Sequence, residues 1–132
     1  MQPSHSERIL IVNAANRRHA LRRSLRARGI AVSFAGGVRR AFNQLTRTAF
    51  DVVAIDLVSI PDAFDFIKQI RSTAIFKTTR IVVVGEWGTG QPSLALSLGA
   101  DAYEPAPVDA VRLLQSIERL PHKRATAAGR NQ

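Results

Sequence analysis

Ile9 to Val12 reads ILIV, Val52 to Ile55 reads VVAI, and Ile81 to Val84 reads IVVV; all three runs are apolar at every position. A strand with one wet face alternates polar and apolar residues. Runs without alternation belong to strands covered on both faces, as in a parallel sheet between two helical layers. The β-rich segments number five: Arg8 to Asn13, Ala31 to Phe34, Asp51 to Ile55, Arg80 to Val84 and Asp101 to Tyr103. Each is followed by a segment of helical period. Leu21 and Leu25 mark the first helix, which Gly29 ends, and Val38, Ala41, Phe42 and Leu45 mark the second. Ala63, Phe66, Ile67 and Ile70 mark the third, Leu94 and Leu98 a short fourth closed by Gly99. Val111, Leu114 and Ile117 mark the fifth, which Pro121 stops. This alternation predicts an α/β fold with a doubly wound, five-stranded parallel sheet.

A length of 132 residues suits one such domain, expected over 8–120, with a flexible N-terminus at 1–7 and a disordered basic tail at 121–132. No apolar run approaches the length of a membrane span and the first residues lack a signal-peptide core, so a cytoplasmic protein without membrane contact is expected. The chain has no cysteine, which removes disulfides and thiolate metal sites. Its charge is unevenly placed. Residues 1–50 hold ten arginines against one acid, Glu7, whereas residues 51–132 hold nine bases and nine acids. The whole formal charge of +9 therefore lies in the first two-fifths of the chain, predicting a one-sided basic surface.

In an open α/β sheet, ligands bind beyond the carboxyl ends of the strands. Those ends carry Asn13 and Ala14, Asp56, Gly85 and Glu86, and Glu104 to Pro107. With DVVAIDL (51–57) carrying Asp56 at the end of its apolar run and LGADAYEPAP (98–107) running on from the end of the fourth helix, the chain resembles the response-regulator receiver domain, the CheY-like module of two-component signalling. The resemblance covers roughly residues 8–120 and implies a (βα)5 fold with strand order 2-1-3-4-5. It places the phosphoacceptor at Asp56 and the switch aromatic at Tyr103. The other site positions depart from the family pattern. Its acidic pair falls on Asn13 and Ala14, its hydroxyl residue on Gly85 and its lysine on Ala106. The loop LVSIPDA after Asp56 is also about one residue shorter than the family pattern.

Those departures have chemical consequences. Phosphoryl transfer depends on positioning and on neutralising charge at the transferred oxygens. Magnesium usually needs one or two carboxylates besides the phosphate, and here Asp56 is the one obvious carboxylate. Ala106 supplies no cation, Gly85 supplies no hydroxyl, and Glu86 adds a negative charge nearby. No cofactor is expected, with magnesium required only if Asp56 is phosphorylated. An aspartate ending a strand can equally accept hydrogen bonds from the next loop, the role preferred here for Asp56. Tyr103 can likewise be an ordinary half-buried strand aromatic; the resemblance implies a possible cis bond at Ala106–Pro107, whereas base preference alone favours trans.

The loop GEWGTGQP (85–92) matches neither phosphate-cradle pattern and reads as a flexible lead into the fourth helix, with Trp87 either exposed at an interface or folded back. Arg18, Arg22 and Arg26 recur every four residues, with Arg23 beside them, and Arg39 and Arg40 open the second helix. Like charges at helical spacing are unfavourable, as are cations in a first turn. The patch therefore suits an acidic protein surface, a nucleic-acid backbone or a cyclic dinucleotide, although arginine runs are also ordinary solvated faces. His5, His19 and His122 sit away from the strand ends, and Ser59 and Ser93 lack an evident base, so no enzyme is expected. The preferred reading is a stand-alone degenerate receiver, a pseudo-receiver that signals by protein–protein interaction without phosphorylation. Its alternatives are an inefficient but genuine phosphoacceptor at Asp56, and a nucleic-acid or cyclic-dinucleotide binder using the arginines of the first two helices.

Overall fold

The computed structural model describes residues 7–121. The strands β1 (Arg8–Val12), β2 (Ala31–Ala35), β3 (Val52–Asp56), β4 (Arg80–Gly85) and β5 (Ala102–Pro105) form one parallel sheet in the order β2-β1-β3-β4-β5. The helices are α1 (His19–Ala27), α2 (Val38–Arg47), α3 (Ala63–Arg71), α4 (Gln91–Leu98) and α5 (Ala110–Arg119), with single 3-10 turns at Ala15–Arg17 and Ala74–Phe76. This is the CheY-like α/β fold. The three fully apolar runs fall on β1, β3 and β4, the interior strands, and every residue from Ile9 to Val12, from Val52 to Asp56 and from Arg80 to Gly85 is buried.

The core is therefore divided by the sheet. On one side Leu10, Val12, Val53, Ile55, Ile81 and Val83 pack against Leu45, Phe66, Ile67 and Ile70 of α2 and α3. On the other, Ile9, Ile11, Val52, Ala54 and Val82 pack against Leu25 of α1 and Leu113 and Ile117 of α5. The alternation of strand side chains between two apolar layers is what makes each run apolar throughout.

Several expectations need correction. β3 begins one residue later than expected and takes in Asp56, while β5 runs on to Pro105, because pairing with β4 continues to Gly85↔Pro105. In α4 the buried residue is Ala95, and Leu94 is 45% exposed. In α5 the inward stripe is Ala110, Leu113, Ser116 and Ile117, leaving Val111 44% exposed. The cap fixes that register, since Asp109 accepts a hydrogen bond from the Arg112 amide and starts the helix at Ala110. The Ala106–Pro107 peptide is cis, as the resemblance allowed and against the base preference; the trans preference before proline is only about 0.5–1 kcal/mol, small enough for the surrounding fold to decide.

Glu7, placed by the sequence reading in a flexible N-terminus, is instead held against the fold. It pairs with Arg80, the first residue of β4, whose side chain is 2% exposed. Arg80 Nη1 also donates to the Leu120 carbonyl at 3.4 Å, so one buried guanidinium ties both ends of the domain to β4. The rest of the expected N-terminal segment, and the basic tail beyond Pro121, lie outside the described residues.

Candidate functional site

Asn13 and Asp56 stand side by side at the carboxyl ends of β1 and β3, because Val12 pairs with Ile55 in the sheet. Both are buried. Asp56 is held by the loop that follows it. Its Oδ1 accepts from the Val58 amide at 3.1 Å, and its Oδ2 accepts from the Ser59 hydroxyl at 2.9 Å. Ser59 Oγ in turn accepts from the Ala14 amide at 3.0 Å. The serine thus links the β1 end to the carboxylate, a contact that the sequence reading missed. Ser59 lies three residues after an aspartate, the one hint the sequence carried.

A small cleft of about 90 Å³ opens beside these residues, with Ile11, Leu21, Ala54, Val84 and Pro107 in its wall along with Asn13 and Asp56. Ala14 is partly buried and brings a backbone donor to the site, with no side-chain ligand. Ala106 donates its amide to the Gly85 carbonyl at 2.8 Å and has no polar side chain to extend into the site. Magnesium favours hard oxygen donors with carboxylates among them. The side-chain oxygens brought together here are one carboxylate, that of Asp56, and the neutral amide oxygen of Asn13, a donor set with a single negative charge. Among the described residues there is no cluster of three or more histidine, cysteine, aspartate or glutamate side chains that could hold a metal.

Gly85 and Tyr103 form a second unit at the end of β4. Tyr103 is buried with its hydroxyl turned inward, donating to the Glu86 carbonyl at 2.8 Å and lying 3.4 Å from Gln91 Oε1. A β-carbon on Gly85 would overlap the phenolic oxygen and press on the ring carbon that bears it. Burial, and then the charge of Glu86, raise the Tyr103 phenol above its ordinary value. Trp87 lies edge-on to Tyr103, with centroids 5.6 Å apart, yet is 60% exposed. It is thus both folded back onto a neighbour and available at the surface. The Gly85–Pro92 loop passes through left-handed Gly88 and Gly90 before Pro92 sits in the first turn of α4.

The structure divides the six arginines. Arg18 and Arg22 stand over the ring of Phe34, on the edge strand β2, at 5.2 and 4.9 Å from its centroid. Arg18 also donates to the Asn13 carbonyl at 3.1 Å, and burial followed by the charge of Arg22 lowers its pKa. Arg39 and Arg40, exposed at the start of α2, line the same groove as Arg18. Arg23 and Arg26 are exposed and line separate shallow depressions. The role of Phe34 as a platform was not read from the sequence, where it passed as one apolar residue in a strand.

Comparison with solved structures agrees with this geometry. The signal receiver domain of a response regulator from Bermanella marisrubri is 27% identical with a TM-score of 0.77, the match covering 88% of this chain and 98% of that one. The chemotaxis response regulator CheY4 of Vibrio cholerae is 23% identical with a TM-score of 0.77, covering 87% and 98%. The receiver domain of the sensor histidine kinase PA1611 from Pseudomonas aeruginosa, solved with magnesium coordinated in its active-site cleft, is 19% identical with a TM-score of 0.75, covering 88% and 98%. The sequence matches no family model and no curated protein. The structural neighbours are thus receiver domains, and this chain has their fold. No helix among the described residues is long and apolar enough to cross a membrane.

Proposed function

We propose that this chain is a non-enzymatic receiver domain of a signalling pathway, which acts by binding a protein partner and does not use phosphorylation of Asp56. The observation that carries this reading is the setting of the carboxylate. Both Asp56 oxygens accept hydrogen bonds from the loop after it, and the neighbouring positions Ala14, Gly85 and Ala106 supply no carboxylate, hydroxyl or ammonium. Each carboxylate oxygen keeps a further lone pair, but phosphoryl transfer also needs cations and donors that absorb the charge of the transferred group, and those three side chains provide none. Asp56 instead serves as a loop anchor.

The partner surface proposed here is the segment leading into and along α4. Trp87, Leu94 and Leu96 are large apolar side chains that it leaves exposed, and aromatic anchors of this kind are enriched where proteins meet. Tyr103 supports Trp87 from below. Complementation of a deletion strain tests the reading. An Asp56→Asn allele is expected to restore signalling as fully as the wild type, and Trp87→Ala to fail while remaining folded. An Asp56→Asn protein that is folded but inactive would overturn phosphorylation independence.

A further inference from the structure

We propose that the groove between the start of α1 and the start of α2 is a binding site for a diphosphate group, carried by a small anionic ligand. This site is separate from the Asp56 position, and its failure would leave the reading of that position intact. The groove has a volume of about 510 Å³ and is lined by Ala15, Arg18, Phe34, Gly36, Arg39 and Arg40, among others.

Its charge is unbalanced. Two guanidinium groups share one face-stacking partner, Phe34, and two more stand at the first turn of α2, where the helix dipole disfavours cations. Among the described residues none of Arg18, Arg22, Arg39 and Arg40 takes part in an ion pair. The one acid in residues 1–50, Glu7, is engaged by Arg80. An anion would relieve the mutual repulsion of these groups.

The backbone is open to such a ligand. The cap of α2 is Gly37, so no side chain covers its first amides, and there is no acid in its first turn. A β-carbon on Gly37 would meet nothing within 4 Å, and one on Gly36 would meet only Arg18 Nη2 at 3.6 Å. Amides at a helix start and arginine forks both suit phosphate oxygens. Arginines on two sides of the groove suit two linked phosphoryl groups better than one. The cluster is also local: Arg23 and Arg26 lie in other depressions, so it does not extend into the stripe that a nucleic-acid backbone would track.

The test is calorimetric titration of the full chain with inorganic pyrophosphate and with adenosine diphosphate at constant ionic strength. Saturable binding of pyrophosphate is expected. Arg40→Gln, on an exposed side chain, and Arg18→Gln should each weaken it about tenfold, as loss of a charge-assisted contact implies. Asp56→Asn and Arg47→Gln, the latter at the far end of α2, should leave it unchanged. Tighter binding of adenosine diphosphate would support the site and assign it a nucleotide; equal binding would support it and assign the diphosphate group alone. Absence of saturable binding, an equal loss in Arg47→Gln, abolition by Asp56→Asn, or tighter binding of single-stranded oligonucleotides that grows with their length would each overturn the proposal.

Discussion

The phenolic oxygen of Tyr103 occupies the volume that a β-carbon on Gly85 would need. The two residues are 18 positions apart and meet because β4 and β5 are paired with Val83 opposite Tyr103 and Gly85 opposite Pro105. A glycine at the end of β4 thus permits a buried, inward tyrosine. Any residue with a side chain there would have to displace it.

Gly85→Ala is expected to cost about 1–3 kcal/mol, the usual range for overpacking, and to change the fluorescence of Trp87, which leans on the displaced ring. In a Tyr103→Ala background the same substitution should cost much less, since Leu57 Cδ1, the remaining close contact, belongs to a side chain that can turn away. Urea denaturation of the four proteins in this cycle gives the coupling. Equal costs in both backgrounds would show that the tyrosine is not what the glycine accommodates.

Tyr103 also gives stability a dependence on alkaline pH. Its phenol is raised above the ordinary 10.0, first by burial and then by Glu86, so the folded protein holds this proton more tightly than the unfolded chain. The resulting stabilisation is complete below about pH 10 and is lost as pH rises through the higher folded-state value. Urea midpoints measured from roughly pH 8 to 11 should fall, and Tyr103→Phe should remove part of that fall. An identical alkaline slope in the variant would contradict this.

Ser59 joins two strand ends through one hydroxyl. Ser59→Ala removes a donor to Asp56 and the acceptor of the Ala14 amide, and is expected to destabilise the domain by about 1–3 kcal/mol. Hydrogen exchange at the Ala14 amide should accelerate. Unchanged exchange would mean that the serine is not what protects this end of β1.

Arg80 supplies the corresponding test at the opposite end of the sheet. Its guanidinium is almost fully buried, and Glu7, one quarter exposed, is its acidic partner. Removing one member of a buried pair costs about 3–5 kcal/mol, less where a partner is solvated. Glu7→Ala should therefore cost about 2 kcal/mol in thermal or urea unfolding, a result that would mark residue 7 as part of the folded domain. A loss below about 0.5 kcal/mol, typical of surface positions, would place it outside.

The sequence revealed the sheet because its interior strands are buried on both faces, leaving no polar position to obscure them. It was less informative where burial depended on helix register. Val111 looked inward by period, but the Asp109 cap turned the helix so that Ala110 and Leu113 face the sheet. The positions Asn13, Ala14, Gly85 and Ala106 could be read individually, since each lies at or just beyond the carboxyl end of a strand. The contacts between elements could not: Ser59 reaching back to Ala14, Tyr103 filling the space above Gly85, and Phe34 gathering Arg18 and Arg22 all depend on distances across elements. Arg80 was hidden for a similar reason, because a charge at the start of an apolar run reads as solvated until Glu7 and Leu120 are seen around it.

Intact mass spectrometry after incubation with acetyl phosphate and magnesium, alongside Asp56→Asn, tests the central proposal most directly. The proposal predicts no gain in mass that depends on Asp56. A phosphoryl adduct present in the wild type and absent from Asp56→Asn would contradict it and return Asp56 to the role of phosphoacceptor.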